Sequence, residues 1–425
     1  MELKELIEIV HGRLLNNYKD IDIKGFSIDT RTISDEVYIA LKGKRLDGHQ
    51  FITNDIKAIA VISEEEIYLD DIPVIKVDNT YDSLYYIGKY FKNKYDVPVI
   101  AITGSNGKTT LKELLSAILS TKYKVLKNKD NNNNIIGIFK TIMSIDNTYD
   151  LCVLEMGMNH KGEISKLSQM VNPDIGIITN IGSSHIGYLN SKKGIYKAKM
   201  EIKDGLKNEL IVSGDDKYLK KSKSYKCGCN CNNDLIAYNI KIYNDYMCFD
   251  IYIDKEYQVI FHIPSKYYIS TILEAITCSL RFGIDMNTII KVIREFKSID
   301  KRLNYYKTNG YTIIDDTYNA SYESVKCGLS TIQNLKKEKI IILGDMLELG
   351  KYSKKYHKKI NKLLKKIDNK TVITIGNYTK YIKSIHLNTN KEIIDYLQKN
   401  DLTNKCIYLK GSRKMQLNQI VEAIK

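Results

Sequence analysis

The stretch VIAITGSNGKTTLKELL, residues 99–115, decides how the rest of the chain is read. Its opening run, VIAIT (99–103), has the length and β-branched character of a strand buried on both faces. Gly104-Ser105-Asn106-Gly107 interrupts that run, and a helical pattern begins at Lys108. Strand, glycine-bearing loop and helix in this order make a phosphate cradle. The glycines let the backbone fold round phosphate oxygens, the first helical amides point inward, Lys108 neutralises the β- and γ-phosphates, and the Thr109 hydroxyl suits Mg2+. The general pattern has four residues between the first glycine and the Gly-Lys pair, whereas only two separate Gly104 from Gly107 here, a shortened form.

Outward from this point, strands and helices alternate. LCVLE (151–155) precedes a helix from Gly162, and IGIIT (175–179) precedes one near Ser191 to Ile202. This alternation predicts βαβ units in a mostly parallel sheet reaching to about Asp300. Ligands of such sheets sit beyond the carboxyl ends of the strands, which puts Glu155 and His185 beside the phosphate loop. Upstream, FSID, VYIAL, AIAVI and PVIKV (within 26–77) and a helical segment near His49 to Asp55 read as a small α/β unit. A helix over Tyr81 to Lys94 leads out of it. Downstream, YTIID (311–315), IIILG (340–344), TVITI (371–375) and CIYLK (406–410), each followed by a helix, predict a second doubly wound, Rossmann-like unit. Residues 207–262 read as an antiparallel edge sheet. The expectation is an α/β protein of three domains: a small N-terminal one (1–82), a central P-loop ATPase with a mainly parallel sheet (83–300), and a C-terminal Rossmann-like one (301–425).

The length, 425 residues, suits three domains of roughly 150 residues each. Hydrophobic and charged fractions of 43% and 27% exclude a disordered or fibrous chain. The net charge of +15 points toward polyanions, but only seven of the 65 basic residues are arginine, and the chain is rich in Ile, Asn and Tyr with no Trp. That mixture is the mark of A/T-rich codons and implies dispersed surface lysine. The 32 tyrosines are scattered and form no RNP-type signature, so no nucleic-acid partner is expected. Met1 to Val10 carries Glu2, Glu5 and Glu8, unlike a signal peptide, and no apolar run nears the roughly 18 residues of a membrane span. The chain is therefore expected in the cytoplasm, with reduced cysteines and no membrane insertion. Cys227, Cys229 and Cys231 of KCGCNCNN lack the paired spacing of a zinc site and read as a surface turn.

Several further motifs share a single pattern. They are SIDTRTISDEVYIALKGKRLDGHQF (27–51), NNNNIIG (131–137), LEMGMNHKGEI (154–164), NIGSSHIGYL (180–189), KAKMEI (197–202), IIDDTYNA (313–320), LGDMLELG (343–350) and LKGSRKM (409–415). With the phosphate loop they resemble the Mur ligase family, the ATP-dependent carbon–nitrogen ligases of peptidoglycan precursor synthesis, nearly end to end. LGDMLELG is similar to the branch that adds D-alanyl-D-alanine to UDP-N-acetylmuramoyl-tripeptide. The resemblance implies ATP contacts at Gly104, Ser105, Asn106, Gly107, Lys108, Thr109 and Thr110, with Arg302 and Asp316 clamping the nucleotide. It implies a Mg2+ site of Thr109, Glu155, His185 and a carbamylated Lys199, with Lys108, Lys199, His185 and Glu155 as the catalytic set. Carbamylation needs a neutral amine, hence a lysine whose pKa is depressed. The UDP-substrate contacts implied are Asp29, Thr30, Arg31, Asp47, Gly48, His49, Asn131 and Asn134, and the acceptor contacts Tyr318, Asn319 and Asp345. A monomer is expected.

Two segments depart from the family pattern. Its GKHNxxN stretch is replaced by Ser265-Lys266-Tyr267-Tyr268 with Thr271, and the Asn-Pro after YNA by Ser321-Tyr322. The second reading is thus a Mur-ligase-like paralogue that joins a different amine to a related carboxylate.

Overall fold

The computed structural model describes residues 1–16, 21–129, 132–297, 300–308, 310–333 and 335–425. The N-terminal sheet has five strands in the order Arg13–Leu14, Val74–Lys76, Ala58–Ser63, Glu36–Ile39 and Phe26–Ser27, parallel except for the first pair. The expected helix near His49 to Asp55 is a single 3-10 turn, Gly48–Phe51. Asp47 caps it through the His49 amide, and the turn-forming Thr53-Asn54-Asp55 ends it. Helix Thr80–Tyr95 then carries the chain onward. Asn79 caps its start, and Asp96 ends it in the left-handed region.

The central sheet has seven parallel strands in the order Leu235–Ile236, Tyr225–Gly228, Glu209–Ser213, Ile175–Ile178, Val99–Thr103, Leu151–Glu155 and Val125–Lys127. Val99–Thr103 lies inside it, flanked on both sides, and is buried throughout, as its unbroken apolar run requires. The expectation for residues 207–262 holds only in part. Glu209–Ser213, Tyr225–Gly228 and Leu235–Ile236 extend the parallel sheet, and only Tyr238–Ile242, Met247–Tyr252 and Glu256–Phe261 form an antiparallel sheet, which is separate. Cys227 correspondingly sits buried in a strand, while Cys229 and Cys231 are exposed. Helices Ile269–Arg281 and Met286–Glu295 follow.

The third sheet has six strands in the order Asn304–Thr308, Tyr311–Asp315, Cys406–Lys410, Lys339–Gly344, Lys370–Ile375 and Ile385–Leu387, parallel apart from the opening hairpin. One buried apolar cluster runs from the central sheet into a face of this third unit, joining Ile186 and Ile195 to Leu329, Leu349 and Tyr356. The N-terminal sheet keeps its own clusters. Packing therefore brings the carboxyl ends of the central and third sheets face to face.

Candidate functional site

Between those two strand ends lies a cavity of about 1060 Å3. Its floor is the phosphate loop. Gly104, with φ +152°, allows a close approach: a Cβ there would stand 1.8 Å from the Thr179 hydroxyl. The Asn180 carbonyl accepts from the Ser105 amide at 3.0 Å and its side-chain oxygen from the Asn106 amide at 3.1 Å, which fixes the loop before any ligand arrives. Gly107 precedes helix Lys108–Leu119 in the left-handed region and offers no side-chain cap, so the first-turn amides stay free for an anion.

Two lysines converge beneath this loop. Lys108 Nζ donates to the Gly104 carbonyl at 3.1 Å and Lys199 Nζ donates to the same oxygen at 2.9 Å. Lys199 is 1% exposed. Burial, with Lys108 alongside, holds its amine well below the usual lysine range, and burial also lowers Lys108. Among the described residues the only carboxylate within 4.0 Å of Lys108 is Glu155. One carbonyl cannot compensate two ammonium groups, so the geometry favours a neutral Lys199.

Glu155 ends strand Leu151–Glu155, 2% exposed. Thr109 Oγ1 donates to its Oε2 at 2.7 Å and Asn133 Nδ2 to its Oε1 at 2.8 Å, while Asn128 pins its backbone on both sides. His185 stands across the cavity in the left-handed region. Burial lowers its imidazole to about 3, with Lys108 and Lys199 adding to the shift. Its Nδ1 lies 3.2 Å from Glu348 yet makes no hydrogen bond, a buried nitrogen without a partner. A hydroxyl, a carboxylate and this orphaned nitrogen all line the same cavity, a donor set that suits a divalent cation.

The third unit supplies the roof. Arg302 Nη2 donates to Thr109 Oγ1 at 3.0 Å and its guanidinium lies 4.0 Å from the Tyr318 ring centre. Asp316 accepts from Lys410 at 2.7 Å and from Tyr408 at 3.0 Å. Tyr318 and Asn319 line the same cavity. Glu323, in the first turn of helix Tyr322–Gln333, accepts from the Ser183 amide and hydroxyl at 2.8 and 2.6 Å and from Lys192 at 2.9 Å. Ser321 Oγ donates to Asn106 Oδ1 at 2.7 Å. The third unit thus grips both the phosphate loop and the loop bearing His185.

Ser105, Asn106, Gly107, Lys108, Thr109, Thr110, Glu155, His185, Arg302, Asp316, Tyr318 and Asn319 all line the cavity, with Gly104 and Lys199 directly below. Asn134 also reaches its wall, although its side chain caps helix Ile135–Ile142 through the Gly137 amide. Asn131 lies outside the described residues. Asp345 departs from expectation. Its carboxylate accepts from the amides of Asn377, Tyr378 and Thr379 at 2.8–2.9 Å, so it holds a turn and is not part of the cavity wall.

The N-terminal residues form a separate surface. Arg31 donates to Asp29 at 2.8 and 2.6 Å, with Thr30 between them, and this holds the Asp29 carboxyl at about 2. Lys140 lowers it further, and its helix, Ile135–Ile142, contributes Phe139 to the core of the N-terminal unit. His49 is buried, with Nδ1 2.6 Å from Asp47 and Nε2 accepting from the Glu64 amide at 3.0 Å. Gly48 fits where a Cβ would meet the backbone of Leu41 at 2.8 Å. Sequence reasoning noted Ser321 only as a departure from the family pattern, and it missed Asn133, Asn128, Lys192 and Glu323. The asparagine run was a visible signal for Asn133, and the others carried none.

Family models agree with this geometry. The Mur ligase middle domain matches residues 102–279, and the Mur ligase, glutamate ligase domain matches residues 301–413. The UDP-N-acetylmuramoyl-tripeptide--D-alanyl-D-alanine ligase of Bacillus subtilis is 34% identical, over 99% of this chain and 97% of its own. The chain belongs to the Mur ligase family. Another relative of this Mur ligase, the Escherichia coli enzyme with the same name, is 26% identical over 99% of the chain and 98% of its own length. Among solved structures, MurF from Acinetobacter baumannii superposes with a TM-score of 0.91 at 25% identity, covering 99% of this chain and 98% of its own. MurF ligase from Thermotoga maritima in complex with ADP superposes at 0.87 and 25%, covering 94% and 97%. No helix among the described residues of this Mur ligase is long and apolar enough to cross a membrane.

Proposed function

We propose that this Mur ligase uses ATP to join D-alanyl-D-alanine to UDP-N-acetylmuramoyl-tripeptide in peptidoglycan precursor synthesis, working in the cytoplasm. The observation that carries this reading is the convergence of Lys108, Lys199, Glu155 and His185 on the phosphate loop, under a roof from the third unit. The end-to-end likeness to ligases of that name supports the choice of substrates.

The steps follow from the residues present. The loop amides and Lys108 bind and orient the ATP phosphates, offsetting charge as the tripeptide carboxylate attacks the γ-phosphorus and ADP leaves. The product is an acyl phosphate. The D-alanyl-D-alanine amine then attacks the acyl carbon, and inorganic phosphate leaves from the tetrahedral intermediate. Arg302, Ser321 and Glu323 hold the third unit against the loop, which excludes water that would hydrolyse the acyl phosphate. Lys199 as its neutral amine would add CO2 to give an anionic carbamate and one proton, turning a nitrogen base into an oxygen ligand. Mg2+, held by Thr109, Glu155, His185 and that carbamate, would neutralise the phosphate charge. Asp29, Arg31 and their neighbours would take the uridine end of the donor.

Purified protein assayed for phosphate release with UDP-N-acetylmuramoyl-tripeptide should depend on D-alanyl-D-alanine. Turnover with another amine and none with the dipeptide would favour the paralogue reading, whose motive is that Lys266, Tyr267, Tyr268, Thr271 and Ser321 line the cavity where the family pattern differs.

A further inference from the structure

Residues 351–366 contain eight lysines and no acidic residue, and no acid occurs between Glu348 and Asp368. Codon bias explains abundant lysine, but the chain as a whole carries 50 acidic residues against 65 basic ones, so it does not explain a stretch with none. The structure sorts this segment cleanly. Helix Ser353–Leu364 buries Tyr356, His357, Ile360 and Leu364, and three of these join the apolar cluster that includes Leu329, Ile332 and Ile341 of the third unit. Lys354, Lys355, Lys358, Lys359 and Lys362 stand exposed on the other side. Lys351 precedes them, and Lys365 and Lys366 follow, equally exposed.

Among the described residues none of these lysines forms an ion pair. They gather instead on tyrosine: Lys354, Lys358 and Lys380 lie 5.3, 5.9 and 5.9 Å from the Tyr381 ring centre. Tyr378, whose ring stacks on His357 of the helix, is 39% exposed beside them. The face is convex helix surface, and none of its residues lines the substrate cavity. It lacks arginine, so it offers no bidentate fork for bases or phosphodiesters. A row of long lysines on one side of an amphipathic helix, edged by tyrosine, suits the plane of lipid headgroups.

We propose that this lysine face is a docking surface for an anionic lipid bilayer, on which the protein sits peripherally with its cavity open. The charge complementarity is about that of a polybasic segment, where each lysine near an anionic surface contributes to a salt-sensitive attraction.

Full-length protein is centrifuged with vesicles of phosphatidylcholine alone or with about one third phosphatidylglycerol, at about 0.15 and 0.5 M salt. It should pellet with the anionic vesicles at the lower salt only. K354Q/K358Q/K362Q/K365Q should lower that partitioning about tenfold or more while phosphate release in free solution stays at the wild-type level, which also reports folding. K220Q/K221Q/K223Q/K241Q, equally exposed lysines elsewhere, should partition as the wild type does. Absence of pelleting at 0.15 M salt, equal loss in both quadruple variants, or tighter retention by a single-stranded oligonucleotide than by the vesicles would each overturn the proposal.

Discussion

The N-terminal surface and the central cavity handle polar groups in opposite ways. Around Asp29, Arg31, Asp47 and His49 every charged or ring atom named has found a partner within the same loop or the next strand. Around the phosphate loop two lysines share one carbonyl, a histidine nitrogen has no hydrogen-bond partner, and a helix start has no side-chain cap. The first region is assembled without its ligand and presents a rigid face. The second is held under-satisfied by packing around it, a state that lowers stability and that bound phosphates and a cation would relieve.

The largest test of that contrast is Lys199. Lys199→Ala should lower turnover by about 10^3-fold or more, since on the proposed mechanism the amine under Gly104 becomes a ligand of the cation that neutralises the reacting phosphates. Formate or acetate should restore part of it if the working form is an anionic carbamate, and depleting CO2 should slow the wild type. Lys108→Ala should be as damaging, but without rescue by carboxylates. Phosphate-release assays read all of these, and full activity in Lys199→Ala would end the assignment.

Residues 99–115 were legible because a buried strand, two glycines and a helix start each leave a local mark. Lys199 left none, for lysine is everywhere in this chain and only the three-dimensional path brings its amine under Gly104, 95 positions away. Glu323 was hidden for the same reason: Ser183 lies 140 positions off. Residues 209–236 misled because strands of two to five residues do not announce their partner, and the parallel sheet claimed them. Asp345 lies in a family motif, and its role as a turn anchor follows from three amides that no pattern displays.

Glu274 sharpens the comparison from the other side. It is fully buried in helix Ile269–Arg281, and neither carboxylate oxygen has a hydrogen-bond partner, yet it does not line the large cavity. Burial pushes its carboxyl well above the usual range, so folding favours the protonated form. The stability it allows is complete below the unfolded value near 4.5 and is lost as pH rises through the folded value. His185 acts oppositely: with a folded value of about 3 against 6.5, it destabilises as pH falls between them. Glu274→Leu should therefore stabilise by about 2 kcal/mol at pH 8, and by less at pH 4, in denaturant titrations with turnover unchanged. An equal gain at both pH values would show that the carboxyl does not titrate with folding.

Glu323→Gln keeps an acceptor for Ser183 but removes the charge opposite Lys192. The third unit should then spend less time closed. Turnover should fall about tenfold while KM for ATP shifts little, because the phosphate contacts remain. A rise in KM with unchanged turnover would place Glu323 in binding and not in closure.

The smallest effect belongs to the satisfied region. Arg31→Lys preserves the charge beside Asp29 but loses the fork that makes two bonds to it. The loop is exposed, so the pair adds little to folding, and the melting temperature should move by no more than about 1 °C. What changes is the orientation of groups offered to the donor: KM for the UDP-linked tripeptide should rise about three- to tenfold, with turnover at saturation unchanged. That split is the signature of a preassembled surface, which binds ground and transition states alike. If Arg31→Lys instead lowered turnover at saturating donor, the two regions would be coupled through Lys140 and helix Ile135–Ile142, and the division between a rigid face and an under-satisfied cavity would fail.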